Sequence, residues 1–191
     1  MSGDIKELSV EEIEKNISEQ LIREKEHNRF LRESIFNYKP LAHKKRERYL
    51  SYICRYEERM YFELKKLYPD LIDLNNYNPH SRVDCRSISL KKVLENKGRW
   101  KDFDDLLIEK YKWDEIVVIP DEDVFYVCAT PKQFVMFDVK NLPEPIWRVE
   151  QHNKTTTFDD NDKIDKLVGF YDTLTQPHFD LTEKLFEINE I

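Results

Sequence analysis

Glycine is scarce in this chain, with three among 191 residues. A loop that cradles phosphates with backbone N–H groups needs glycines at close spacing, so neither a P-loop nor a dinucleotide-binding fingerprint is present. Cysteine is as scarce and odd in number, and Cys54, Cys85 and Cys128 lie far apart. That spacing leaves no place for a zinc knuckle or a redox CxxC, and reduced thiols are expected. Long apolar runs are missing too: no stretch reaches the roughly 20 apolar residues of a membrane-spanning helix. The acidic opening MSGDIKELSVEEIEK lacks the apolar stretch of a signal peptide. The expectation is a cytoplasmic protein with no membrane partner. The histidines His27, His43, His80, His152 and His178 fall at no metal-ligand spacing and read as surface or turn residues. HExxH and GxSxG are absent. Asp159-Asp160-Asn161-Asp162 lacks the glycine of a calcium loop and reads as helix capping.

Charge, by contrast, is abundant. Charged residues make up 36% of the chain, mean hydropathy is -0.73, and the net charge is -7. With 40% hydrophobic residues the length suits one compact domain, or a core domain with a helical extension. The charge is uneven. Residues 21–66 hold 13 Lys/Arg against 7 Asp/Glu, whereas residues 150–191 hold 4 against 10. A basic segment in an acidic protein fits a solvated helix face or a dock for the protein's own acidic tail. It also fits a phosphate-binding surface. In the last case Lys44, Lys45, Arg46 and Arg48 are the nucleic-acid contacts, beside the aromatics Tyr49, Tyr52, Tyr56, Tyr61 and Phe62 that bases could stack on. Tyrosines at helical spacing also serve as core.

Ser9-Val10-Glu11-Glu12 is a capping box and predicts a helix start. Ile13, Ile17, Leu21, Leu31 and Ile35 form its apolar stripe, and the wholly polar residues 23–29 read as solvated helix. A second helix is expected from Leu41, with Tyr49, Ile53, Tyr56, Met60, Leu64 and Leu67 on one face and Pro69 at its end. The turn-rich NNYNPHSR at residues 75–82 marks a boundary between a helical region 1–75 and an α+β domain 83–191, unless the two form one compact unit. Short helices are expected at residues 89–94 and 102–112. Strands are expected at 115–119, 124–129, 134–139, 146–151 and 155–158, a helix at 162–174 and a last strand at 186–191. The fold class is therefore α+β: a helical hairpin followed by a mainly antiparallel sheet with flanking helices, lying wholly after Arg99.

Within 134–139, Met136, Asp138 and Lys140 alternate with Val135, Phe137 and Val139, which places an acid and a lysine on one sheet face. The element order from residue 102 onward reads αβββαβ. Pro120-Asp121 opens the second of the three consecutive strands and Asp138-Val139-Lys140 ends the third. Order and motif together resemble the PD-(D/E)xK nuclease superfamily. The resemblance implies a Mg²⁺-dependent nuclease in which Asp121 and Asp138 are metal ligands and Lys140 activates the attacking water. Glu109 on the preceding helix would be the optional further ligand. Such a site has chemical sense, because Mg²⁺ takes oxygen ligands and supplies a hydroxide-like nucleophile. The other reading keeps Asp121-Glu122-Asp123 as a turn and Asp138 and Lys140 as the solvated side of a sheet. The protein is then a non-catalytic adaptor, inhibitor or regulator that binds a protein partner through the helical hairpin of its N-terminal region or through its acidic surface.

Overall fold

The computed structural model describes residues 8–37, 41–101, 105–153 and 162–191. Helix α1 (Val10–Phe30) starts at the capping box: Glu12 N–H donates to Ser9 Oγ (3.2 Å) and Ser9 N–H to Glu12 Oε2 (2.8 Å). It runs on into a π-helical turn, Leu31–Phe36, whose Leu31 and Ile35 are fully buried. The segment expected as one helix after Leu41 is two, α2 (Ala42–Ile53) and α3 (Glu57–Leu67). The corner between them is held by Arg59. Its guanidinium lies over Tyr52 (3.8 Å) and Tyr56 (4.5 Å) and donates to the Tyr52 carbonyl (3.0 Å), one of the acceptors orphaned by the end of α2.

Among the described residues nine strands form two sheets. The larger has the order β1 (Leu71–Asp73), β2 (Cys85–Ser87), β3 (Lys92–Gly98), β5 (Asp123–Ala129), β6 (Phe134–Asp138), β9 (Phe179–Asp180), antiparallel except for the parallel pair β3–β5. The smaller has the order β4 (Asp105–Glu109), β8 (Lys163–Asp172), β7 (Arg148–Asn153). Helix α4 (Lys110–Val117) follows β4, and α5 (Thr182–Ile188) follows β9. The large sheet is covered on both faces. Leu94, Phe125, Val127, Phe134 and Met136 pack with Tyr49, Ile53, Met60, Leu64 and Leu185 of the helices. Val93, Val124, Tyr126, Val135 and Phe137 pack with Leu106, Ile108, Ile116 and Tyr171 of the small sheet and α4. The Tyr126 hydroxyl (2.6 Å) and Arg99 (2.5 Å) both donate to the Leu107 carbonyl, tying β4 to the large sheet.

The α+β class holds, and among the described residues of 9–68 there is no strand. Several elements differ from expectation. The sheet does not lie wholly after Arg99, because β1, β2 and β3 precede it. Residues 89–94, read as a helix, lead into β3, where four successive residues, Val93 to Asn96, are buried as a central strand requires. Residues 105–109, read as helix, form β4, with Leu106 and Ile108 inward on a period of two. Residues 115–119, read as a strand, belong mostly to α4, which buries the single side chain Ile116. Residues 162–174, read as a helix, hold β8, and residues 186–191, read as a strand, are the last turn of α5 and the residues that follow it. The strand expected at 155–158, and Asp102, lie outside the described residues. The αβββαβ order is thus not adopted. Met136 is not on a solvated face, since the helical layer covers it. The 75–82 connector joins β1 to β2 of one sheet, and the core beneath it runs from Leu31 to Phe186. No helix among the described residues is long and apolar enough to cross a membrane.

Gly98 has a packing reason. A Cβ there would stand 2.2 Å from the carbonyl oxygen of Cys54, where the α2–α3 corner rests on β3. Gly98→Ala should therefore lower stability by about 1–3 kcal/mol through overpacking, read as a lower urea midpoint with unchanged slope.

Candidate functional site

The residues singled out from the sequence take separate structural tasks. Asp121 is exposed in the turn between α4 and β5, with a positive φ of 55°. Lys140 is brought against that turn, where its ammonium donates to the carbonyls of Ile119 and of Glu122 (2.6 Å). Asp138, the last residue of β6, accepts from Asn141 N–H (3.3 Å) and Nδ2 (2.8 Å), closing its own turn. Glu109, expected on a helix, ends β4 and pairs with Lys166 of β8 at 2.8 Å. Partial burial pushes the Tyr111 hydroxyl up to about 12, with the charge and hydrogen bond of Glu109 adding to it. Among the described residues no group of three or more His, Cys, Asp or Glu has the geometry to hold a metal ion. Of the basic residues, Lys44 and Arg48 are exposed, while Lys45 donates to the Phe36 carbonyl (2.7 Å). Arg46 lies over the Phe186 ring and within 3.4 Å of Glu183.

His27 is not the surface residue expected. It is buried, and its Nε2 donates to Glu63 Oε1 (2.7 Å). Glu63 is fully buried and accepts also from the Tyr49 hydroxyl (2.5 Å), Lys66 Nζ (2.7 Å) and Asn189 Nδ2 (2.7 Å). Burial alone would raise its carboxyl, but the His27 hydrogen bond and the Lys66 charge overrule burial and hold it at about 2. This network joins α1, α2, α3 and the end of α5 inside the core, and its role is architectural.

An open polar cleft of about 380 Å³ lies where α1 and the start of α3 meet the β1–β2–β3 edge. Its back wall is set by amide stitching. Gln20 of α1 donates to Asp73 Oδ2 (2.5 Å) and accepts from Asn76 Nδ2 (2.7 Å), while Asn16 Nδ2 donates to the Asn76 carbonyl (3.2 Å). Asn75, in the 3₁₀ turn Leu74–Asn76, bridges two acids, donating its N–H to Asp73 Oδ1 (2.9 Å) and its Nδ2 to Asp84 Oδ1 (3.4 Å). Asn96 of β3 forms the floor. Its N–H donates to Asp84 Oδ2 (2.7 Å) and its Nδ2 to Cys85 Sγ (3.3 Å). Its Oδ1 is buried and has no partner among the described residues, in a side chain 1% exposed. A buried amide oxygen left over in this way carries a cost.

The lining is acidic, with Asp73, Asp84, Glu57 and Glu58 against Arg23. Burial raises the carboxyls of Asp73 and Asp84, with the charge of Glu58 adding at Asp73 and that of Glu57 at Asp84. At the rim Arg23 Nε donates to Glu58 Oε1 (2.6 Å), and Lys97 reaches Glu57 from outside (3.0 Å). Cys85 offers no nucleophile, because burial and the neighbouring acids push its thiol well above the ordinary value, as the repulsion of a thiolate requires. The chemistry on offer is recognition by acceptors. No spacing rule points to this site. The signal present in the sequence is the frame Asp73, Asn75-Asn76, Asp84 around a connector that reads only as a turn. Comparison with family models, with curated proteins and with solved structures finds no match.

Proposed function

We propose that the chain is a non-catalytic binding protein that receives a cationic group of a protein partner in the acidic cleft. The observation that carries this reading is a cleft whose described lining holds four carboxylates against one guanidinium, with Asn96, a buried residue whose Oδ1 has no partner among the described residues, in that lining. Desolvated carboxylates attract a cation more strongly than exposed ones do, and a cation relieves their mutual repulsion. A volume of about 380 Å³ lies within the usual range for small-molecule or side-chain pockets. The nuclease reading has less behind it. Its lysine is held by two backbone carbonyls, and two of its proposed acids, Asp138 and Glu109, are each engaged by a different neighbour.

The test is a titration at low salt of two peptides of equal length, one carrying Lys and Arg and one carrying Glu and Asp. The basic peptide should bind and weaken as salt rises, the acidic one should not, and Asp73→Asn with Asp84→Asn should abolish binding. Asparagine keeps an acceptor oxygen for the Asn96 N–H, so the doubly substituted protein should still fold. In the same samples Mg²⁺ should leave the melting temperature of the parent and of Asp138→Asn unchanged, with no cutting of DNA or RNA. A Mg²⁺-dependent rise that Asp138→Asn loses, accompanied by cleavage, would overturn the binding reading in favour of the nuclease.

A further inference from the structure

We infer that the cationic group the cleft receives is a guanidinium, presented by an arginine side chain of the partner protein; this rests on the binding reading above. The placement of acceptors is the first reason. They come from separate elements: Asn96 of β3, whose side-chain oxygen is unpartnered among the described residues, Asp84 beside it, Asp73 from β1 across Asn75, and Glu57 and Glu58 from α3 at the rim. An ammonium offers three N–H donors radiating from one point, whereas a guanidinium offers five in a rigid plane that pairs with carboxylates two bonds at a time. A spread set of acceptors at different depths is met by the fork more completely than by the point charge.

Hydration is the second reason. Asn96 is 1% exposed and Asp73 and Asp84 are largely withdrawn from water, so an entering cation must shed its own hydration. A guanidinium is the more weakly hydrated of the two and loses less on entry. The third reason is that the cleft already accommodates one guanidinium, that of Arg23, held at 2.6 Å on Glu58, while no lysine is among the described residues of the lining. Tyr61 adds an aromatic wall, fixed by its hydroxyl donating to the Leu71 carbonyl (3.3 Å).

The test uses the full chain and four probes: an acetylated, amidated tripeptide Ala-Arg-Ala, its Ala-Lys-Ala and Ala-citrulline-Ala counterparts, and free butylguanidinium, each titrated by NMR chemical shift at low salt. The arginine peptide should bind about tenfold or more tighter than the lysine peptide, as charge-assisted paired hydrogen bonds predict. The neutral citrulline peptide should not bind measurably, and butylguanidinium should bind at the same residues more weakly than the arginine peptide. Asn96→Ala should bring the arginine-to-lysine ratio towards one. Should that variant fail to fold, Glu57→Gln at the exposed rim should weaken the arginine peptide by about three- to tenfold. Equal affinity for the arginine and lysine peptides would overturn the guanidinium assignment and leave the cation-binding reading standing. Butylguanidinium binding as tightly as the peptide would overturn the assignment to a protein partner. No binding by any probe would overturn both.

Discussion

Glu63→Gln should lower the stability of the fold by about 3–5 kcal/mol at pH 7, the cost of removing one partner from a buried charged network. In the parent, four donors converge on this fully buried carboxylate, from His27, Tyr49, Lys66 and Asn189. Glutamine keeps the shape but offers a single acceptor oxygen, so donors are stranded and the Lys66 ammonium loses its counter-charge. The effect has a defined pH window. The native carboxyl titrates at about 2, below its ordinary 4.5, so its stabilisation is complete above 4.5 and is lost as pH falls from there to about 2. That interval corresponds to about 3 kcal/mol. Urea unfolding at pH 7, 4 and 2.5 should show the gap between parent and variant closing on acidification. A gap independent of pH would mean that Glu63 acts by packing alone.

This network shows which parts of the molecule a reader of the sequence can reach. The capping box of Ser9 and Glu12 and strands β5 and β6 depend on neighbours within a few residues, and their patterns are legible. Glu63 and His27 lie 36 positions apart, and the polar stretch that contains His27 resembles any solvated helix. In β8 the apolar residues Ile164, Leu167, Val168 and Tyr171 sit at steps of three, one and three, which fits a helix face. What makes the segment a strand is tertiary. Β-pairing to β4 and β7 on either side fixes it, and Gly169 lets Pro145 and Trp147 lie against its backbone, where a Cβ would meet Pro145 Cβ at 2.4 Å. Residues 186–191 alternate apolar and polar, yet the buried side chains here, Leu185 just before the segment and Phe186 at its start, hold consecutive positions of a helix. The Asp138 and Lys140 pair was legible as an acid and a lysine on one face of a strand, whereas Asp138 ends β6 and Lys140 lies beyond it. Their engagement by Asn141 and by the Ile119 and Glu122 carbonyls depends on where a neighbouring turn falls in space. The cleft was the least legible feature, because its acids come from β1, the residue before β2, and α3, and only folding brings them together.

Glu95→Gln should act in the opposite direction, raising stability by about 3 kcal/mol or more at pH 9 while changing it little at pH 5. Glu95 lies on β3 between the buried Leu94 and Asn96 and is 7% exposed. Burial is the main reason its carboxyl rises from 4.5 to about 8, with the charge of Asp84 adding and the Lys112 ammonium at 3.2 Å from Oε1 partly offsetting the rise. Lys97 also lowers it, and the other oxygen, Oε2, has no partner among the described residues. Because the native value is the higher one, the folded protein holds a proton that the unfolded chain has released. Stability contributed by this group is therefore full below 4.5 and declines as pH rises through to about 8. Glutamine does not titrate, and its oxygen can take the Lys112 hydrogen bond in place of Oε1. Its amide nitrogen replaces an oxygen that was already unpaired, which limits the gain at low pH. Burial raises the Asp84 carboxyl in both proteins, so the difference between parent and variant reports Glu95 together with its coupling to Asp84. Urea unfolding at pH 5, 7 and 9 should show parent and variant diverging steadily with pH. Parallel curves would mean that Glu95 is ionised in the native state, held by Lys112 as an ordinary ion pair.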